Sequence, residues 1–287
     1  MKISKKTLSI ILFVLAGICV LAAVILLVKG RIEDRRMEEA LDELRPTQSV
    51  ETTQAPSTVE GEPTVTASPE PSTEETPAST EEFERVANPY SDSFLANKDM
   101  AAWLQIPGTN IDYPVMWTPE DETYYLYRAF DGSENKNGCL LLDDESCVDP
   151  LTTNLIIHGH NMKSGAMFGN LTDYENQDFY KEHKNIILYT EECQRNYEII
   201  AVFRSQVYRK TDQVFKFYKF FQADTQEEFD DFYNNIKQLS QYDTGVTAEF
   251  GDHFLTLSTC VYHVEQGRFV VVAKEVEPGD HSLPIQE

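Results

Sequence analysis

HFLTLSTCVYHVEQGRFVVVAK, residues 253–274, reads as two apolar strands joined by a short polar turn. Along Phe254–Cys260 successive side chains alternate between the two faces of a sheet, and Cys260 stands at the end of the run, where a thiol emerges at a rim and not in a packed interior. Arg268 opens the second strand. A hairpin through VYHVEQG, eased by Gly267, returns its guanidinium beside the thiol. Read singly, Cys260 is a small half-buried hydrophobe and Arg268 a surface cation. Read together, they are a nucleophile beside a group that holds negative charge.

Outward from this hairpin the chain repeats the same texture. DYPVMW (112–117), GCLLLDD (138–144), NLIIHGH (154–160), NIILYT (185–190) and NYEIIAVFRSQVY (196–208) are short strand-like runs. TQEEFDDFYNNIKQLSQYD (225–243) breaks the pattern as an amphipathic helix. Thr225 and Glu228 form its capping box, and Phe229, Phe232, Ile236 and Leu239 share one face. VANPYSDSFLANKDMAAWLQI (86–106) reads as one or two short helices. Many short strands with one inserted helix predict a mainly β protein, a closed or nearly closed β-barrel with added helices.

The first third of the chain is of another kind. TLSIILFVLAGICVLAAVILLV (7–28) carries no charge and is long enough as a helix to cross a hydrocarbon core of roughly 30 Å. A cleaved signal peptide has a shorter apolar region followed by small residues. Here KGRIEDRR follows instead, so the segment reads as an uncleaved transmembrane anchor with residues 1–6 on its cytoplasmic side. Charges spaced for i,i+4 pairing in 29–45 extend the helix outward. Residues 46–85, built from Pro, Thr, Ser and Glu, read as a disordered acidic spacer, because they offer too little apolar surface to offset the entropy of ordering. The Lys and Arg residues flanking the anchor are balanced and leave its orientation undecided by charge. The spacer tips the reading towards an external C-terminus. Residues 86–287 are the foldable, catalytic part.

The formal net charge of −24 excludes nucleic acid as a partner, since phosphates demand a basic face. VFKFYKFFQ, with Lys216 and Lys219 among rings, therefore reads as core and surface and not as a stacking platform. The five cysteines form no CxxC pair. Cys139 and Cys147 are close enough for a local disulfide, which the sequence leaves open. Asp143 and Asp144 read as a solvated turn at a strand end.

A thiol becomes a nucleophile through a nearby base or cation, and acyl transfer needs a donor for the oxyanion. LIIHGHNM supplies the base. His160, where the strand breaks into a loop, can reach the end of a neighbouring strand, whereas His158 reads as packed in the sheet. His158-Gly159-His160 as a metal site lacks the third ligand that a catalytic zinc requires. A cysteine peptidase of papain type would put Cys before His, and only His263 follows Cys260. A non-enzymatic wall-spanning binding protein leaves the joint presence of thiol, histidine and arginine without a reason.

TLSTC (256–260) followed by GRFVVVAK (267–274), with NLIIHGHNM (154–162), WLQIPGTNIDYPV (103–115) and YYLYRAFDGSENKNGCLLLD (124–143) upstream, resembles class B sortases from about Asn88 to Val276. The resemblance implies an eight-stranded sortase β-barrel with N-terminal helices and a helix between strands 6 and 7. It also implies a membrane-anchored cysteine transpeptidase of Gram-positive bacteria, its catalytic domain extracellular, without a cofactor. Such an enzyme cuts a C-terminal sorting motif of surface proteins, of Asn-Pro type in class B, and joins the new carboxyl to an amine of peptidoglycan or of a pilin. Position by position, the nucleophile falls on Cys260, the histidine on His160 and the arginine on Arg268, with Ser258 at a position that touches substrate. His158 departs from the family, which often has Tyr there.

Overall fold

In the computed structural model the described residues are 5–46 and 88–276, with side chains from residue 15. Helix α1 runs Lys5–Leu44, followed by α2 (Ser91–Ala96), β1 (Met100–Gln105), β2 (Asp112–Met116), β3 (Leu140–Leu142) and β4 (Asn154–Gly159). A 3-10 turn at Leu171–Glu175 leads into α3 (Gln177–Glu182), β5 (Asn185–Tyr189) and β6 (Gln194–Gln206). Helix α4 (Gln226–Leu239) precedes β7 (Phe254–Cys260) and β8 (Gly267–Val276). Most of the segment read as a spacer lies outside the described residues.

The eight strands close into a barrel in the order β1-β2-β3-β4-β7-β8-β6-β5. Closure removes the exposed edges that an open sheet of this size would present. Two neighbouring pairs, β2–β3 and β4–β7, are parallel, and the rest are antiparallel. The strands are short and apolar on alternate residues because one face fills the lumen. Leu155, Ile157, Leu255, Leu257, Phe269 and Val271 pack inside with Leu104 and Phe168.

β6, β7 and β8 are buried on both faces. Their outward residues, Phe203, Phe254, Val270 and Val272, lie under Phe229, Phe232 and Ile236 of α4 and under Phe217. Phe220 stacks on Phe232 with ring centroids 4.0 Å apart. The capping box is complete: Glu228 N donates to Thr225 Oγ1 (3.3 Å) and Thr225 N to Glu228 Oε2 (3.1 Å). The helix stops at Leu239, and that side chain is exposed and not on the packed face.

One segment departs from the reading by local pattern. MAAWLQ, read as helical, is strand β1, paired with β2 on one side and β5 on the other. Its alanines favour helix locally, but closing the barrel between β2 and β5 requires an extended segment there, and Trp103 and Leu104 are fully buried by it.

Helix α1 does not stand apart from the barrel. Met37 and Leu41, one turn apart, are buried against Pro114, Phe130, Cys139 and Met167. Arg45 Nε lies 3.0 Å from Asp112 Oδ2, and Trp103 Nε1 donates to Asp112 Oδ1 at 2.6 Å. Tyr90 stacks on that indole at 4.3 Å. Ser93 Oγ of α2 donates to Leu44 O at 3.2 Å, so the last turn of α1 and the first turn of α2 touch.

Candidate active site

β4 and β7 run parallel, in register from Asn154↔Phe254 to Gly159↔Thr259, so His160, just past the end of β4, and Cys260, the last residue of β7, stand at the same level. β7 and β8 run antiparallel with Cys260 directly opposite Arg268. Parity fixes the face. Leu255 and Leu257 point into the lumen and Phe254 points out. Ser258 and Cys260 therefore point out, as does Arg268, which shares the parity of Val270 and Val272. His158, opposite Ser258, projects from the same face. The sequence-derived residues thus gather at one end of three neighbouring strands, on the outside of the barrel.

Each member is held by backbone groups. His160 Nε2 lies 2.9 Å from Leu126 O. A carbonyl can only accept, so Nε2 carries the proton and Nδ1 of the neutral ring holds the lone pair. The Tyr127 ring stacks on the imidazole, centroids 5.4 Å apart. Phe168 N donates to His160 O at 3.0 Å. Asn161 Nδ2 donates to Cys260 O (2.8 Å) and Thr259 Oγ1 to Gly159 O (2.7 Å), tying the two strand ends together. Gly159 has no room for a side chain: a Cβ there would stand 2.5 Å from Phe168 Cδ2 and 2.6 Å from Leu140 Cδ2.

Arg268 Nη1 donates to Gln266 O (3.3 Å) and Gly267 O (3.1 Å), which fixes the guanidinium plane at the start of β8. Its other nitrogens take no further hydrogen bond among the described residues. Ser258 is 1% exposed and its Oγ lacks a partner there, a buried hydroxyl that costs about 1–3 kcal/mol while unpaired. Cys260 is exposed, as are Cys19 and Cys193, whereas burial pushes Cys139 up to about 12. Cys139 and Cys147 are both free thiols.

His158 is not simply packed in the sheet. Its Nε2 lies 3.0 Å from Asp143 Oδ2. Burial pushes the Asp143 carboxyl up, but the hydrogen bond and charge of His158 outweigh it and hold the group below the ordinary carboxylate range. Asp144 moves the other way, raised by burial and by Asp143. Asp143 is thus a partner of His158 and not a freely solvated turn residue. His263 lies in the hairpin turn, its ring over Gly267. Leu126 and Tyr127 were not singled out from the sequence, because a backbone carbonyl and a loop aromatic carry no pattern. Asn161, directly after His160, was visible only as a mark of the strand's end.

The comparisons agree with this architecture. The family model described as the sortase domain matches residues 104–276, more than half of the chain. Sortase B of Listeria monocytogenes is 35% identical over 182 residues, covering 63% of this chain and 71% of that protein. Sortase B of Staphylococcus aureus is 28% identical over 186 residues, covering 63% and 72%. Among solved structures, Clostridium perfringens sortase B superposes with a TM-score of 0.58 at 27% identity, over 65% of this chain and 98% of that one. A Staphylococcus aureus sortase B-substrate complex gives 0.60 at 26%, over 69% and 89%. The outward thiol, the strand-end histidine and the facing arginine sit on an eight-stranded barrel like that of these relatives, and the chain belongs to the sortase family, as a class B type of cysteine transpeptidase.

Proposed function

We propose that Cys260 is the nucleophile, His160 the general acid and base, and Arg268 the oxyanion donor of a transpeptidase that cuts a C-terminal sorting motif of surface proteins. One observation carries this reading: the registers Gly159↔Thr259 and Cys260↔Arg268 bring the three to one end of β4, β7 and β8.

Nδ1 of His160 takes the Cys260 thiol proton, the thiolate so formed attacks the scissile carbonyl carbon, and the carbonyl oxygen takes up negative charge. The free N–H groups of Arg268 donate to that oxygen, and one such donor is typically worth about 3 kcal/mol of barrier. The tetrahedral species collapses as the C–N bond breaks, and the leaving amine takes a proton from His160. With Nε2 held on Leu126 O, the atom that gives that proton is Nδ1. A thioacyl-enzyme remains. An acceptor amine, of peptidoglycan or of a pilin, then attacks the thioester, loses its proton to Nδ1, and releases Cys260 as thiolate. The unpartnered Ser258 hydroxyl is buried and gains a hydrogen bond from substrate only when the residues that cover it move aside.

We further propose that the apolar part of α1 spans a membrane and that the barrel lies on its outer side. Among the described residues α1 is long and apolar enough for this by length and composition. A sorting motif of Asn-Pro type is the expected substrate.

The test uses the full chain in detergent with fluorogenic sorting pentapeptides, with and without triglycine, alongside Cys260→Ala, His160→Ala and Arg268→Ala. Cleavage lost in all three, together with an amide-linked product, is expected. Cleavage that survives Cys260→Ala sinks the mechanism.

A further inference from the structure

A path of contacts runs from α1 to the catalytic histidine. Asn137 is fully buried, and its Nδ2 donates to Asp34 Oδ1 (3.1 Å) and to Met37 Sδ (3.2 Å), both on α1. Its Oδ1 has no partner among the described residues, so the α1 contacts are the side chain's only hydrogen bonds there. Lys136 reinforces the seat: Nζ donates to Gly30 O at 3.0 Å and lies 3.1 Å from Asp34 Oδ1.

The next residue, Gly138, has φ +60 and lies against Leu126. A Cβ there would overlap Leu126 O and come within 2.8 Å of Leu126 C and Tyr125 O. Cys139 N donates to Tyr125 O (3.0 Å) and Asn135 N to Tyr127 O (2.9 Å), so residues 135–139 clamp 125–127 from both sides. Leu126 O is the carbonyl that accepts from His160 Nε2. The position of that carbonyl is thus set by the Asn137–Gly138 arm, and the arm is seated on α1.

We infer that the juxtamembrane turns of α1 are a positioning element for the reaction: Asp34, through Asn137, holds Leu126 O where it keeps the proton of His160 on Nε2. This rests on the reading of His160 as acid and base. Asp34 touches neither substrate nor reacting atoms, and acts through Asn137. Loss of the contact lets the 125–127 arm shift, the ring loses its single acceptor, and the two neutral tautomers mix. Only the Nε2–H form presents a lone pair at Nδ1.

The experiment compares wild type, Asp34→Ala and Asp34→Asn in the full chain in detergent. Asp34→Asn keeps an oxygen that can accept from Asn137 Nδ2 while removing the charge that meets Lys136. Two readouts are taken: kcat and KM with the best pentapeptide, and the side-chain 15N shifts of His160, which report the tautomer without any turnover. Asp34→Ala is expected to lower kcat about tenfold with KM unchanged, part of the roughly 10²–10⁴-fold that general acid–base catalysis supplies. The Nε2–H signature is expected to mix in Asp34→Ala and to return, with kcat, in Asp34→Asn. An Asp34→Ala protein with the wild-type tautomer signature and kcat overturns the inference, as does loss of kcat with an unchanged signature. His160→Ala that keeps full activity would overturn the catalytic reading instead, a result the tautomer readout does not share.

Discussion

Gly159→Ala concentrates the design of the site in one methyl group. That carbon would sit 2.5 Å from Phe168 Cδ2 and 2.6 Å from Leu140 Cδ2, whereas carbon atoms rest at about 3.5–4.0 Å. Each neighbour must move by about 1 Å, and both are fully buried. Overpacking of this size costs about 1–3 kcal/mol. At about 2–4 °C per kcal/mol for a domain of this size, a cost of 2 kcal/mol lowers Tm by about 4–8 °C. The catalytic effect is larger. Phe168 N holds His160 O, so a displaced Phe168 carries the histidine with it, and a misplacement of about 1 Å costs on the order of 10²-fold in rate. Calorimetry gives the first quantity and peptide cleavage the second. Phe168→Leu added to Gly159→Ala returns space to the methyl group, so the double variant should be less destabilised than the sum of the single changes. Unchanged Tm and unchanged kcat in Gly159→Ala would show that the end of β4 is slack and that the packing described for it does not position His160.

Three further outcomes are expected. Thr225→Ala removes one arm of the capping box of α4 and should lower stability by about 1 kcal/mol without changing kcat, since α4 covers the barrel away from the strand ends; urea unfolding checks the first and cleavage the second. Tyr113 and Tyr125 are raised by burial to about 12, so the folded state resists an ionisation that the unfolded chain undergoes near pH 10; their stabilisation is complete below about 10 and is lost as pH rises from there towards 12, which alkaline unfolding followed by absorbance at the phenolate band should show, with Tyr125→Phe flattening the slope. A thiol electrophile at neutral pH should label Cys260 and leave Cys139 unmodified until the protein unfolds, because burial holds the Cys139 thiol up at about 12; mass spectrometry of the digested protein identifies the adduct.

Much of the fold is written in local patterns. The capping box at Thr225–Glu228 and the Phe229, Phe232, Ile236 face mark α4 because helix signals are short-range, and the alternation through Phe254–Cys260 marks β7 for the same reason. β1 was hidden because its sequence, Met-Ala-Ala, favours helix and only the flanking strands make it extended. The meeting of β4, β7 and β8 at one end came into view through the hairpin and the family resemblance, whereas the parallel register Gly159↔Thr259 is a long-range property. Leu126 O, Tyr127 and the Asp143–His158 pair stayed invisible: the first acts through its backbone, the second sits in a loop without periodicity, and the third depends on the register in which Leu141 faces His158.

The hydrogen bond from Ser93 Oγ to Leu44 O has a mechanical meaning. It ties α1 just before the described chain leaves at residue 46 to α2 just after it resumes at residue 88, so these two ends of the described chain lie side by side. The height of the barrel over the proposed anchor is set by helix rise alone. From Val28 to Asp34 there are six residues of α1, about 9 Å along its axis. Shortening the Pro/Thr/Ser/Glu segment would leave the catalytic end where it is, while inserting four residues of helix between Val28 and Asp34 would lift it by about 6 Å and turn its opening by about 40° about the axis. On the proposed anchoring, the barrel is a head carried on a helical post, and its working distance is a property of the post.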